Sequence, residues 1–133
     1  MTVRPHLALV LLILILLPAC GGSATSTPTP TVPALSGLEA EGESLFQGKG
    51  RCATCHALAP NTVIVGPSLA GIASAASTRV DGLSAAEYLE EAIIFPDSHI
   101  VEGFENQRMP STLAKELTVE EVEALVAYML TLE

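Results

Sequence analysis

The run Cys52-Ala53-Thr54-Cys55-His56 constrains the chain more than any other stretch. It reads C-x-x-C-H, the attachment signature of c-type haem. In that chemistry two thiols add across the vinyl groups of one porphyrin edge. The adjoining His supplies an axial nitrogen to the iron. A chain built this way must fold around a flat apolar macrocycle. Two other readings use the same residues. Cys52 and Cys55 form half of a zinc site if two further ligands come from His99, His6 or carboxylates. They form a redox dithiol pair if a βαβ context surrounds them, and no such context is visible.

The cysteine count favours haem. Three cysteines are present. Two lie in the motif and the third, Cys20, ends an apolar N-terminal segment, so no pair remains for a structural disulfide. With 133 residues the chain holds one domain. Trp is absent and aromatics are 4% of residues, which predicts a thin core. A covalently held macrocycle supplies apolar surface that such a core lacks. Fifteen acidic side chains face six basic ones. That balance excludes nucleic acid as a partner, because phosphate contacts need Lys and Arg. It suits a basic docking surface on another protein, or simply solubility.

Residues 1–19 read as a signal segment. Arg4 and His6 precede an unbroken apolar run from Leu7 to Leu17. The run is too short to span a bilayer and suits a signal h-region. Ala19-Cys20 resembles the lipobox of bacterial lipoproteins, which implies lipidation at Cys20. Pro18 departs from the small residue usual at its position in that pattern. Residues 20–37 continue as a Pro/Ser/Thr-rich stretch without periodicity, expected to be an extended linker. At about 3.1 Å per residue it reaches roughly 50 Å. The domain is expected over 38–133.

Three helices are predicted. Leu38 to Gly48 places Leu38, Gly42, Leu45 and Phe46 on one face, with Ser36 and Glu39 as a capping box. Ser84 to Phe95 opens on Ser84/Glu87, carries Tyr88, Leu89, Ala92 and Ile93 as its stripe, and stops at Pro96. Thr118 to Leu132 opens on Thr118/Glu121 and repeats apolar side chains at Val122, Leu125, Val126 and Met129. Between the first two helices, Ala57 to Gly82 reads as irregular chain.

Gly66-Pro67-Ser68-Leu69 after C-x-x-C-H, with helices at both ends, resembles the class I c-type cytochromes over Leu38 to Leu132. The resemblance implies an all-α cytochrome c fold, three to four helices and long irregular loops around one covalent haem c. It implies that the Pro67 carbonyl accepts a hydrogen bond from the ring of His56. It also implies that Met109, in the pair Met109-Pro110, is the sixth iron ligand. His99 is the chief rival, Met129 is expected in the core, and Met109 as plain filler is the alternative to ligation. The last helix is expected to cross the first, Gly42 and Phe46 against Leu125 and Tyr128.

The stretch from Pro96 to Pro110 resembles cytochrome domains associated with haem–copper oxidases and related respiratory complexes. The function expected is a membrane-tethered electron carrier, not an enzyme, on the extracytoplasmic face of the membrane. Its donor would be a quinol-oxidising complex and its acceptor a terminal oxidase or photosynthetic reaction centre. A fixed subunit of such a complex fits equally. A five-coordinate haem sensor or peroxidase-like protein, and a haem-free interaction lipoprotein, are the alternatives from other classes.

Overall fold

The computed structural model describes residue 35 and residues 37–133. The expected signal segment, Cys20 and Ser36 lie outside these residues. Four α-helices make up the described part: α1 (Leu38–Gln47), α2 (Ile72–Ala76), α3 (Ala85–Ile94) and α4 (Val119–Met129). Short 3₁₀ turns lie at Cys52–Thr54 and Ala114–Glu116, and no strand occurs among the described residues.

α1 starts at Gly37, whose φ of 57° places it in the left-handed region. The capping role expected of Ser36 therefore falls one residue before the observed cap. Gly42, Leu45 and Phe46 are buried as the periodicity predicted, but Leu38 is 44% exposed. As the first residue of the helix it has no turn before it to cover its side chain. Leu35, placed in the linker by its composition, packs against the core.

α1 and α4 touch backbone to backbone. A Cβ on Gly42 would run into the Ala124 carbonyl and come within 2.7 Å of the Tyr128 Cβ. Ala124, not Leu125, is the residue beneath Gly42. Leu125 is turned inward and fully buried with Phe46. Beside the contact the Phe46 and Tyr128 rings meet edge to face, centroids 5.5 Å apart at 60°. The glycine thus serves a close crossing that repays its poor helix propensity.

Both remaining capping boxes are present. Ser84 Oγ accepts from Glu87 N at 3.3 Å while Glu87 Oε2 accepts from Ser84 N at 2.8 Å. Thr118 and Glu121 do the same at 3.3 and 2.8 Å. Glu121 also pairs with Lys49 at 2.6 Å, which ties the end of α1 to the start of α4. α3 buries Tyr88, Leu89 and Ile93 against the same core.

α2 interrupts the stretch expected to be irregular. It has five residues, starts after Gly71 at φ 71°, and buries only Ile72 and Ala76, one turn apart. One turn of small residues gives no periodic signal. It is held from outside: Ala73 N donates to the Leu132 carbonyl at 3.1 Å.

Gly42→Ala, which would favour an isolated helix by about 1 kcal/mol, is expected to destabilise the protein by about 2 kcal/mol in denaturant titration, because it overpacks the crossing. Hydrogen bonding from Lys49 and then Thr118 holds the Glu121 carboxyl below its ordinary value of 4.5. A depressed folded pKa stabilises above the unfolded value and is lost as pH falls through the folded one. The melting-temperature difference between wild type and Glu121→Gln should therefore shrink as the solution is acidified below pH 4.5.

Candidate functional site

The end of α1 leads straight into the motif. Gly50 N donates to the Leu45 carbonyl at 2.8 Å, and Arg51 at φ 53° turns the chain into the 3₁₀ turn. A Cβ on Gly50 would stand 3.2 Å from Cys52 Sγ and 2.9 Å from the Leu45 carbonyl oxygen. The glycine makes room for the first thiol. His56 N then donates back to the Cys52 carbonyl at 2.9 Å, so one turn holds both cysteines and the histidine.

His56 is held by its ring. Nδ1 lies 2.8 Å from the Pro67 carbonyl oxygen. A carbonyl only accepts, so Nδ1 carries the proton and Nε2 keeps its lone pair. The acceptor also orients the ring and raises its basicity as a ligand. Gly66 presses on the same ring: a Cβ there would come 2.5 Å from Cε1 and 3.0 Å from Nδ1. No side chain fits between this backbone and the imidazole. Sequence reading passed over that role, and its only signal was the glycine before Pro67.

The loop that brings Pro67 back is itself fastened. Val65 N and Gly66 N both donate to the Cys55 carbonyl, at 3.1 and 3.0 Å. Leu69 N donates to the Ala57 carbonyl at 2.8 Å, and Ser68 Oγ to the Ala59 carbonyl at 2.8 Å.

A cleft opens beside the ring as three adjoining pockets, and His56, Pro67 and Met109 line all three. The innermost is walled by apolar side chains that include Phe46, Leu69, Leu89 and Met129. Cys52 lines two of the pockets and Cys55 one. Met109 is half-buried on the loop after α3. That loop is braced by Arg108 and Asp97, paired at 2.6 Å. Met129 belongs to the buried core and reaches the cleft only at its innermost part.

His99 lines the outer pocket, but its Nε2 lies 2.7 Å from Glu91 Oε2 and its ring leans on Tyr88 at 5.9 Å. Three of the basic side chains of the described residues, Arg51, Arg79 and Arg108, line the cleft.

The donor set fits haem better than the alternatives. Among the described residues no three His, Cys, Asp or Glu side chains cluster as a metal site, so the zinc reading finds no further ligands there. Burial, reinforced by neighbouring Cys55, pushes the Cys52 thiol up against a weaker opposing backbone hydrogen bond. A reactive dithiol needs the opposite shift. An apolar slot with two thiols, one imidazole Nε2 and one thioether on its walls suits a macrocycle and its iron.

Gly66→Ala tests how tightly the ring is held. It should displace the imidazole, abolish the slowly exchanging His56 Nδ1–H resonance, and cost about 2 kcal/mol in thermal denaturation. The family model for cytochrome c matches residues 39–133. No curated protein matches the chain significantly. The chain therefore belongs to the cytochrome c family, electron-transfer haem proteins that bind haem c covalently.

Proposed function

We propose that this protein is a membrane-tethered, single-haem electron carrier with closed, six-coordinate iron. Cys52 and Cys55 would carry the thioether bonds, His56 Nε2 the proximal position and Met109 sulfur the distal one. The observation that carries this reading is the cleft. His56, with Nδ1 engaged by Pro67, and Met109, on a braced loop, line the same apolar space.

Bound haem supplies a one-electron couple, and its potential rises with a thioether in place of a second imidazole. The rest is the work of the chain. Pro67 holds the proton on His56 Nδ1 and fixes the ligand's direction. Phe46, Leu69 and Leu89 keep water from the inner cleft, which lowers solvent reorganisation when the charge changes. The Arg108–Asp97 pair steadies the loop that presents Met109. With His56 and Met109 both holding the iron, bound haem would offer no free position to a substrate, and its chemistry would be electron transfer alone.

The tether rests on residues outside the described ones: the apolar run Leu7 to Leu17, Ala19-Cys20 and the Pro/Thr/Ser linker. No helix among the described residues is long and apolar enough to cross a membrane. Lipid at Cys20 would place the domain on the extracytoplasmic face. There a quinol-oxidising complex would reduce it, and a terminal oxidase or reaction centre would oxidise it. The same chemistry serves a fixed subunit of such a complex.

Carbon monoxide decides the coordination. Wild type loaded with haem should keep its reduced spectrum under carbon monoxide, and rapid binding would sink the closed-site reading. Met109→Leu should bind carbon monoxide and lose on the order of 0.1 V of reduction potential, a fraction of the roughly 0.8 V that axial ligands span. An unchanged spectrum in that variant would remove Met109 from the iron.

A further inference from the structure

α4 carries two apolar stripes. One enters the core through Leu125 and Met129. The other runs through Val119, Val122, Val126 and Leu130, at steps of three, four and four that keep it on one side of the helix. Its middle is buried and its ends are open: Val119 is 70% exposed and Leu130 38%. Val122, Val126 and Leu130 line a groove whose other wall is α3, through Ala86 and Glu90 one turn apart. Ala86 is exposed, and its short side chain leaves that wall open. The groove shares no lining residue with the three pockets of the haem cleft.

Charge on this face is of one sign. No Lys or Arg occurs from Val80 to Gln107 or from Glu116 to Glu133, the stretches that contain both helices. Three glutamates of these helices have partners among the described residues. Glu87 bonds Ser84, Glu91 meets His99, and Glu121 meets Thr118 and Lys49. Glu90 and Glu123 have no ion-pair partner there, both are exposed, and both line the groove. Two carboxylates thus stand over an apolar floor without a counter-charge.

We propose that this groove docks a helix of a partner protein, one that presents apolar side chains flanked by Lys or Arg. Apolar side chains spaced three and four apart would lie along the stripe from Val119 to Leu130. The flanking cations would meet Glu90 and Glu123 in charge-assisted hydrogen bonds. The chain's own linker does not complement the site, because residues 20–34 hold no Lys, Arg or His. A second copy of the chain brings the same formal charge of −9 and is repelled. An anionic lipid surface is repelled in the same way. A partner seated here covers none of the side chains that line the cleft. It therefore fixes the domain to a larger assembly and leaves the haem side free. That consequence rests on the reading of the chain as an electron carrier, whereas the docking itself does not.

The test uses the full-length, haem-loaded protein and a synthetic helical peptide with leucines along one face and lysines on both sides of them. Fluorescence anisotropy should show binding to wild type that Glu90→Gln/Glu123→Gln weakens about tenfold. Ala86→Lys, which fills the groove with a cation, should abolish it. Glu41→Gln/Glu43→Gln removes the same charge from exposed α1 surface and should bind as wild type does. Equal weakening by the two double variants would show attraction to net charge alone and overturns the groove. So does a wild type that binds no peptide, or one that binds equally well when glutamates replace the peptide's lysines. Two further results assign the groove to another occupant and overturn the proposal. One is a wild-type dimer in sedimentation that Leu130→Asp dissolves. The other is co-sedimentation of a Cys20→Ser protein with phosphatidylcholine vesicles that Leu130→Asp abolishes. A wild type that takes up carbon monoxide yet binds the peptide as expected overturns the closed-iron reading and upholds this one.

Discussion

Backbone contact between α1 and α4 at Gly42 determines where everything else hangs. Because no side chain separates Gly42 from Ala124, the two helices lock at one point along their lengths. α1 then runs on for one more turn and delivers Gly50 and Cys52 to one wall of the cleft. α4 delivers Leu125 and Met129 to the innermost part of the same space. A larger residue at 42 would move both walls together. The glycine weakens α1 as a helix and sharpens it as a support, and the tertiary contact outweighs the local cost.

From that frame the chain builds the imidazole's surroundings rather than the imidazole alone. The loop after His56 returns to it through Cys55, Ala57 and Ala59, whose carbonyls accept from Val65, Gly66, Leu69 and Ser68. The result is a Pro67 carbonyl on Nδ1 and a bare Gly66 against the ring. Together they fix the tautomer and the direction of Nε2. Metal ligands commonly depend on such outer partners. Here the partners come from backbone, so a side-chain substitution reaches them only by moving the chain.

Charge is distributed with equal consequence. The acids cluster on helix starts and exposed helix faces, where Glu87 and Glu121 also cap α3 and α4. The chain around the motif carries none. The molecule is thus acidic overall, while the side chains of Arg51, Arg79 and Arg108 line the cleft.

Local signals were legible from sequence wherever the physics is local. Ser84/Glu87 and Thr118/Glu121 mark helix starts because each box is completed within four residues. The stripes of α3 and α4 mark buried faces, and C-x-x-C-H with Gly66-Pro67 marked a haem-binding family of all-helical fold. Where the outcome depended on partners distant in the chain, the sequence was silent. α2 exists because Ile72 and Ala76 find a core and Ala73 finds Leu132. Leu38 is exposed although its spacing is right, since none of the described residues covers it. Ala124 and not Leu125 meets Gly42, because Leu125 is turned into the core with Phe46. His99 is engaged by Glu91 across a turn that no motif announces. The sequence by itself determined the attachment chemistry, the starts of α3 and α4 and the uncharged stretch. Only the tertiary structure decided what presses on His56 and which apolar residues stay outside, because those are settled by contacts between segments far apart in the chain.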